Sequence, residues 1–127
     1  MAAKKFSIID RIKSFRYAFS GLRVLFREEH NARVHLAITF LVIVLGVFFG
    51  LNTVEWVIIA LTVGFVFVTE ILNTAIEDIA DFISPQRDIR IKRIKDLGAA
   101  AVLIAAIAAV LVGILIFLPK LLNYLFP

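Results

Sequence analysis

The chain has 127 residues, of which 61% are hydrophobic, and a mean hydropathy of +0.97. In a soluble domain of this size about half of the residues are apolar, and they are distributed to cover one core. Here they are gathered into long blocks, which a lipid bilayer explains better than a globular interior does. The absence of cysteine excludes disulfides, thiolate metal sites and cysteine nucleophiles. The length leaves room for a single domain over residues 1–127.

The basic residues give a net charge of +4, but their distribution does not favour nucleic-acid binding. Of the 14, eight precede the first apolar block and five lie between the second and third blocks. Loops on the cytoplasmic side of membrane proteins carry such an excess of Lys and Arg. We therefore expect the N-terminus and the second loop in the cytoplasm, next to anionic headgroups and phosphates.

The N-terminal segment, about residues 7–30, predicts an amphipathic helix on the membrane surface. The residues before it are polar and basic, so we expect no signal peptide. Apolar residues recur at spacings of three and four, with basic residues along one flank. A core-packing helix of a soluble protein is the alternative. The apolar residues are Ile8, Ile12, Phe15, Phe19, Leu22 and Phe26.

Three apolar blocks predict three transmembrane helices, so the fold class is an all-α membrane protein. The first block covers about residues 34–51, near the short end of the roughly 17–25 residues that cross a bilayer. The second covers about residues 54–83, because its helical pattern continues beyond the apolar part. The third follows a polar connection and covers about residues 96–118, and we expect Pro119 to close it.

Polar side chains form one stripe on the last part of the second helix. At about 100° per residue, their spacings place them on one helix face. An ionisable group at the membrane boundary is costly and indicates function. Carboxylates with an amide and a hydroxyl between them suit Mg²⁺, and a carboxylate withdrawn from water suits a general base. The stripe consists of Glu70, Asn73, Thr74, Glu77 and Asp81.

Two further segments are expected at the same membrane face. Glu28 and Glu29 end the N-terminal helix, and Lys95-Asp96 begins the third span. Lys95 is suited to meet phosphate as a point charge. Together with the polar stripe, these segments would hold ATP and Mg²⁺ beside a lipid headgroup. The chain has neither a P-loop nor the signatures of protein kinases, so phosphoryl transfer would use another fold.

Several alternatives are compatible with these residues. The stripe would be a helix contact in a non-catalytic membrane adaptor. A small cation transporter would use the same carboxylates inside an oligomer, although they cluster at one end of the spans. His30 and His35 have no Asp or Ser partner in a recognisable pattern, so we expect both to be structural.

Motifs along nearly the whole chain occur in the order and at the spacing found in one family of known proteins. The most specific is Glu70-Ile-Leu-Asn-Thr-Ala-Ile-Glu77, which is followed by Asp81 and by the segment from Lys95 to Ile104. The N-terminal part contributes Ser20-Gly-Leu-Arg23 and the segment from Glu29 to His35. Together they resemble the prokaryotic integral-membrane diacylglycerol/undecaprenol kinase family.

The resemblance implies an ATP- and Mg²⁺-dependent kinase that phosphorylates a lipid hydroxyl. It implies a multi-pass protein of the bacterial inner membrane, with the active site at the cytoplasmic face. Glu70 would be the catalytic base, and Glu29 and Glu77 would hold Mg²⁺. The family works as a homotrimer with active sites shared between subunits, so the same is expected here.

The resemblance also implies an ATP-binding set. Lys95 would contact the phosphates, while Asp96 and Tyr17 would support the nucleotide. The supporting residues of the stripe are Asn73, Thr74 and Asp81.

The family splits into enzymes that favour diacylglycerol and enzymes that favour undecaprenol. The Asn31-x-Arg33-x-His35 segment and Glu55-Trp56 are more similar to the undecaprenol branch. The diacylglycerol branch tends to carry an acidic residue where His35 stands. The resemblance therefore favours undecaprenol, with diacylglycerol as the alternative.

Overall fold

The structure, a computed structural model, describes residues 5–127, and these residues form four α-helices. They are α1 (Ile8–Glu28), α2 (His30–Phe49), α3 (Thr53–Ile83) and α4 (Ile89–Leu125). The last three are long and apolar enough to cross a membrane. The predicted fold class, an all-α membrane protein with an N-terminal helix and three spans, is confirmed.

Helix α1 packs on the rest of the chain mainly at its C-terminal end. Its apolar stripe is open to the surroundings, and Phe15, for example, is 68% exposed. At the C-terminal end of α1, Leu25 is buried, and the ring of Phe26 packs against that of Phe67 on α3 with centroids 5.7 Å apart. The exposed stripe fits a helix on a membrane surface and does not fit one in the core of this chain.

A tight turn joins α2 to α3 and makes the two helices antiparallel. Gly50 ends α2 in the left-handed region (φ 65°), which favours glycine. Asn52 and Glu55 then form a capping box, in which each side chain accepts a hydrogen bond from the other residue's backbone N–H. The turn is crowded as well, because a Cβ on Gly46 would lie 2.6 Å from a ring carbon of Trp56.

Helices α3 and α4 form a long antiparallel hairpin. Ser84 ends α3, and Pro85 follows it. Asp88 caps α4 by accepting a hydrogen bond from the Arg90 backbone N–H at 2.7 Å. Hydrogen bonds from the Arg90 side chain and backbone hold the pKa of Asp88 below its usual value. Small residues buried in the interface, such as Gly98, let the two helices approach closely.

Helix α4 is longer than the sequence predicts at both ends. It begins at Ile89 and not near residue 96, because the Asp88 cap starts the helix inside the basic connection. The expectation that Pro119 closes it is wrong, since the helix continues to Leu125. Pro119 removes one backbone donor, but contacts of the following residues hold the last turns. Lys120 pairs with Glu55 on α3 at 3.1 Å.

The two ends of the helix bundle differ, because α2 and α3 have different lengths. At 1.5 Å per residue, α2 is about 30 Å long, which matches the hydrocarbon core, and α3 is about 46 Å long. We call the end with the Gly50–Asn52 turn the turn end, and the end with the Ser84–Asp88 loop the carboxylate end. Because the turn is short, the extra length of α3 lies at the carboxylate end.

Candidate active site

Glu70 is the one charged side chain that is fully buried within residues 5–127, with 2% of its surface exposed. It lies about 26 Å along α3 from Thr53, close to the far edge of a hydrocarbon core about 30 Å thick. Its Oε1 atom is buried and accepts no hydrogen bond from the described residues. This buried oxygen therefore keeps an acceptor position that no donor of the described residues fills.

The basic side chain that lies nearest to this carboxylate is that of His35 on α2. Its Nε2 atom lies 3.1 Å from Glu70 Oε1, which is within ion-pair distance, although the contact lacks the geometry of a hydrogen bond. The sequence predicts a structural role for His35, and its local pattern does not indicate this contact with Glu70. A register count could have found it, because Asn52 stands 17 residues after His35 and 18 before Glu70. In antiparallel helices, equal distances from the turn mean equal depth.

Asn73 connects the stripe to α4. Its amide Nδ2 donates to Glu77 Oε1 at 3.3 Å, and its buried Oδ1 has no donor among the described residues. Asn73 Oδ1 lies so close to Gly98 that any Cβ there would collide with it. The buried hydroxyl of Thr74 also lacks a partner in this part of the chain. Buried polar atoms normally find partners, so this group of open atoms fits a site that receives a ligand.

Glu29 brings a further carboxylate to the stripe from the junction between α1 and α2. Its backbone is extended (φ −91°, ψ 115°), so one helix ends and the next begins at this residue. Partial burial raises the pKa of Glu29, and so do the negative charges of nearby carboxylates, first Glu77 and then Glu70 and Asp78. Burial and the neighbouring carboxylates both disfavour the charged form of Glu29, and a bound cation would offset the repulsion between the carboxylates.

A pocket of about 580 Å³ opens where α3 ends and α4 begins. Three predicted site residues line it: Asp81, Lys95 and Asp96. Lys95 Nζ pairs with Asp81 Oδ1 at 2.9 Å, and Asp96 pairs with Lys92 at 2.5 Å. Tyr17 does not line the pocket; it lies on α1 and is 71% exposed. The pocket therefore brings together three of the predicted residues, Asp81, Lys95 and Asp96, but neither Tyr17 nor the other residues of the stripe on α3.

The carboxylates at this end of the bundle can supply part of a Mg²⁺ coordination shell. Within residues 5–127, no group of three or more His, Cys, Asp or Glu side chains is arranged to hold a metal by itself. Mg²⁺ usually takes one or two carboxylates, with phosphate oxygens and water completing its shell. Glu29 and Glu77, whose negative charges act on one another, fit an ion that arrives with a nucleotide.

Comparison with known proteins places these residues in a known context. A family model described as prokaryotic diacylglycerol kinase matches residues 16–117, which include every site residue discussed above. An undecaprenol kinase of Bacillus subtilis is 40% identical over 109 residues, which is 86% of this chain and 89% of that protein.

Two further relatives are named diacylglycerol kinase. A diacylglycerol kinase of Synechocystis is 40% identical over 111 residues, which is 87% of this chain and 63% of that protein. A diacylglycerol kinase of Escherichia coli K12 is 35% identical over 100 residues, which is 79% of this chain and 82% of that protein.

Proposed function

The chain belongs to the prokaryotic diacylglycerol kinase family, and on that premise we propose that it transfers the γ-phosphate of ATP to the hydroxyl of a membrane lipid, with undecaprenol favoured. Membership of this lipid kinase family supports the class of reaction. The observation that carries the site assignment is the buried Glu70, whose Oε1 has no hydrogen-bond donor at the membrane edge.

Glu70 is proposed as the general base. The lipid hydroxyl would donate to its open oxygen, and the proton would pass to the carboxylate as the hydroxyl oxygen attacks the γ-phosphorus. The bond between that phosphorus and the bridging oxygen breaks, and ADP leaves. Little else is required of the protein, because phosphoryl transfer depends mainly on positioning and on electrostatic stabilisation.

The remaining residues are proposed to hold the nucleotide. Glu29 and Glu77 would bind Mg²⁺, which when bound neutralises phosphate charge. The Asn73 amide, at 3.3 Å from Glu77 Oε1, would keep that carboxylate in place. Lys95 would exchange its Asp81 partner for a phosphate, and the pocket beside it has the volume for part of a nucleotide.

Undecaprenol is favoured over diacylglycerol on two grounds. The segment from Asn31 to His35 is similar to the undecaprenol branch, and His35 lies at the proposed base. The Bacillus subtilis relative named undecaprenol kinase is matched over 89% of its length. Diacylglycerol is the alternative, because other relatives carry that name.

The assembly and orientation are also proposals. A homotrimer with shared active sites would let Tyr17, which lies away from the pocket, approach the nucleotide of a neighbouring subunit. The excess of basic residues before the first span and around the α3–α4 loop supports placing the carboxylate end in the cytoplasm. In bacteria this membrane would be the inner membrane.

The test is phosphate transfer from labelled ATP by the purified protein, with undecaprenol and diacylglycerol assayed in parallel. We expect labelled lipid phosphate only when Mg²⁺ is present, and more from undecaprenol. A larger kcat/KM with diacylglycerol would reverse the substrate assignment. Failure of folded protein to label either lipid would contradict the kinase proposal itself.

A further inference from the structure

The side of helix α4 that is turned away from α3 is apolar and open. Helix α4 packs on the rest of the chain through residues buried on one side, Gly98, Ala105 and Ile116. At about 100° per residue, the opposite side carries four large apolar residues that are 46–65% exposed. These residues, which we call the outer face of α4, are Ile104, Ile107, Leu111 and Leu118. In a helix that crosses a membrane, such a face meets lipid chains.

One basic residue, Arg93, continues the outer face toward the carboxylate end. It stands 11 residues before Ile104 and 18 before Leu111, which places it within about 20° of both around the helix. It is exposed and forms no ion pair with the described residues. The aspartates in this region are each paired with another cation: Asp81 with Lys95, Asp88 with Arg90, and Asp96 with Lys92.

The depth of Arg93 follows from the contact between α3 and α4. Gly98 lies beside Asn73, because a Cβ on Gly98 would collide with the Asn73 amide oxygen. Asn73 stands 20 residues after Thr53, about 30 Å along α3 and therefore at the edge of the hydrocarbon core. Arg93 precedes Gly98 by five residues and so lies about 8 Å farther out. The headgroup layer is about 5–8 Å thick on each side, so this depth is that of lipid phosphates.

We propose that Arg93 and the outer face of α4 form a binding site for an anionic phospholipid. The phosphate would accept hydrogen bonds from the Arg93 guanidinium, and an acyl chain would lie along Ile104 and Leu111. A guanidinium matches phosphate oxygens with two parallel donors, and its uncompensated charge favours a lipid of net negative charge. The site is separate from the proposed active site, since Lys95 and Gly98 face α3 and Arg93 faces away from it. It does not depend on the proposed kinase activity.

The test is fluorescence quenching by brominated lipids at this one face. Ile104→Trp places an indole on the exposed outer face, and Trp56→Phe removes the one native indole. The protein is reconstituted in phosphatidylcholine vesicles that contain a fixed fraction of phosphatidylglycerol or phosphatidylcholine with brominated chains. We expect brominated phosphatidylglycerol to bind at this face about fivefold more tightly, the factor that one basic residue contributes near an anionic surface.

Three variants in this background separate a site from general attraction. Arg93→Gln should abolish the preference for phosphatidylglycerol, and Arg93→Lys should keep it within about twofold, because the charge remains. Arg16→Gln is the matched control: it removes the same charge from an exposed residue of α1 and should leave the preference unchanged. An equal loss of preference in Arg16→Gln and Arg93→Gln would show attraction by net charge alone and would overturn the site.

A second measurement leaves both tryptophan positions native. Native mass spectrometry of the wild type should show about fivefold stronger retention of phosphatidylglycerol than of phosphatidylcholine, and Arg93→Gln should lose this difference. Equal retention of the two lipids by the wild type would overturn the proposal. So would an introduced indole that neither brominated lipid quenches, because a second copy of the chain would then cover the outer face. These outcomes are independent of lipid phosphorylation, so the proposed function stands or fails separately.

Discussion

Helix α3 carries a glutamate near each end of its membrane span, and the two are held in opposite ways. At the turn end, Glu55 Oε2 accepts a hydrogen bond from the Asn52 backbone N–H at 2.9 Å and forms an ion pair with Lys120 Nζ at 3.1 Å. At the carboxylate end, Glu70 is more deeply buried, but its Oε1 accepts no hydrogen bond from the described residues. Each glutamate has one basic side chain at 3.1 Å, but the hydrogen bond from the described residues goes to the less buried of the two.

The side chains around the two glutamates differ in the same way. Near Glu55, aromatic rings pack edge to face, with Phe48 and Phe49 both against Tyr124. Near Glu70, the open atoms are the Asn73 amide oxygen and the Thr74 hydroxyl. Buried polar groups cost free energy when unpaired, so a fold keeps them open only where something else binds. The turn end is closed by contacts within the chain, whereas the carboxylate end leaves buried polar atoms without partners among the described residues, as the proposed ligand site requires.

Apart from substitution of the proposed base Glu70, we expect the largest loss of phosphate-transfer rate from Glu77→Gln at the carboxylate end. The substitution removes a proposed Mg²⁺ ligand, so transfer should fall by about 10²-fold or more, and more Mg²⁺ should be needed for half-maximal rate. The measurement is the initial rate against Mg²⁺ concentration at fixed ATP. An unchanged Mg²⁺ dependence would exclude Glu77 from the metal site.

A smaller effect, of about tenfold in rate, is expected from Gly98→Ala. The new Cβ would collide with the Asn73 amide oxygen and disturb the Asn73–Glu77 hydrogen bond. Overpacking of this kind costs about 1–3 kcal/mol of stability. Gly113→Ala is the matched control, because a Cβ there meets no atom within 4 Å. Equal rates and unfolding temperatures in the two variants would show that the close approach is unimportant.

The smallest effect is expected from Lys120→Met at the turn end. It removes a partly exposed ion pair, and such pairs contribute little to stability. The unfolding temperature should fall slightly, and phosphate transfer should stay within about twofold of wild type. A large loss of activity in folded protein would mean that the two ends are coupled, and the division of roles drawn above would be wrong.

Local features of the fold were predictable from the sequence. The stripe on α3 follows from helical spacing, and the exposed face of α1 follows from its apolar and basic pattern. The three spans follow from apolar length. The helix bounds were less predictable, because Pro119 lies inside α4 where contacts with α2 and α3 hold the last turns.

Contacts between helices were not predictable in the same way. The His35–Glu70 contact depends on the register set by the Gly50 turn, and a search for neighbouring sequence partners passes over it. The approach of Asn73 to Gly98 depends on how α3 and α4 cross. Tyr17 is a different case: it was assigned from the resemblance alone, and the chain itself does not bring it to the pocket.

The most direct test of the central claim compares the two glutamates of α3 in a single-turnover phosphate-transfer assay. Glu70→Gln and Glu55→Gln make the same change on one helix, at opposite ends of the bundle. We expect Glu70→Gln to slow transfer by about 10²–10⁴-fold, the usual contribution of a general base, and Glu55→Gln to leave the rate near that of wild type. Similar rates in the two variants, with both proteins folded, would contradict the assignment of catalysis to the carboxylate end.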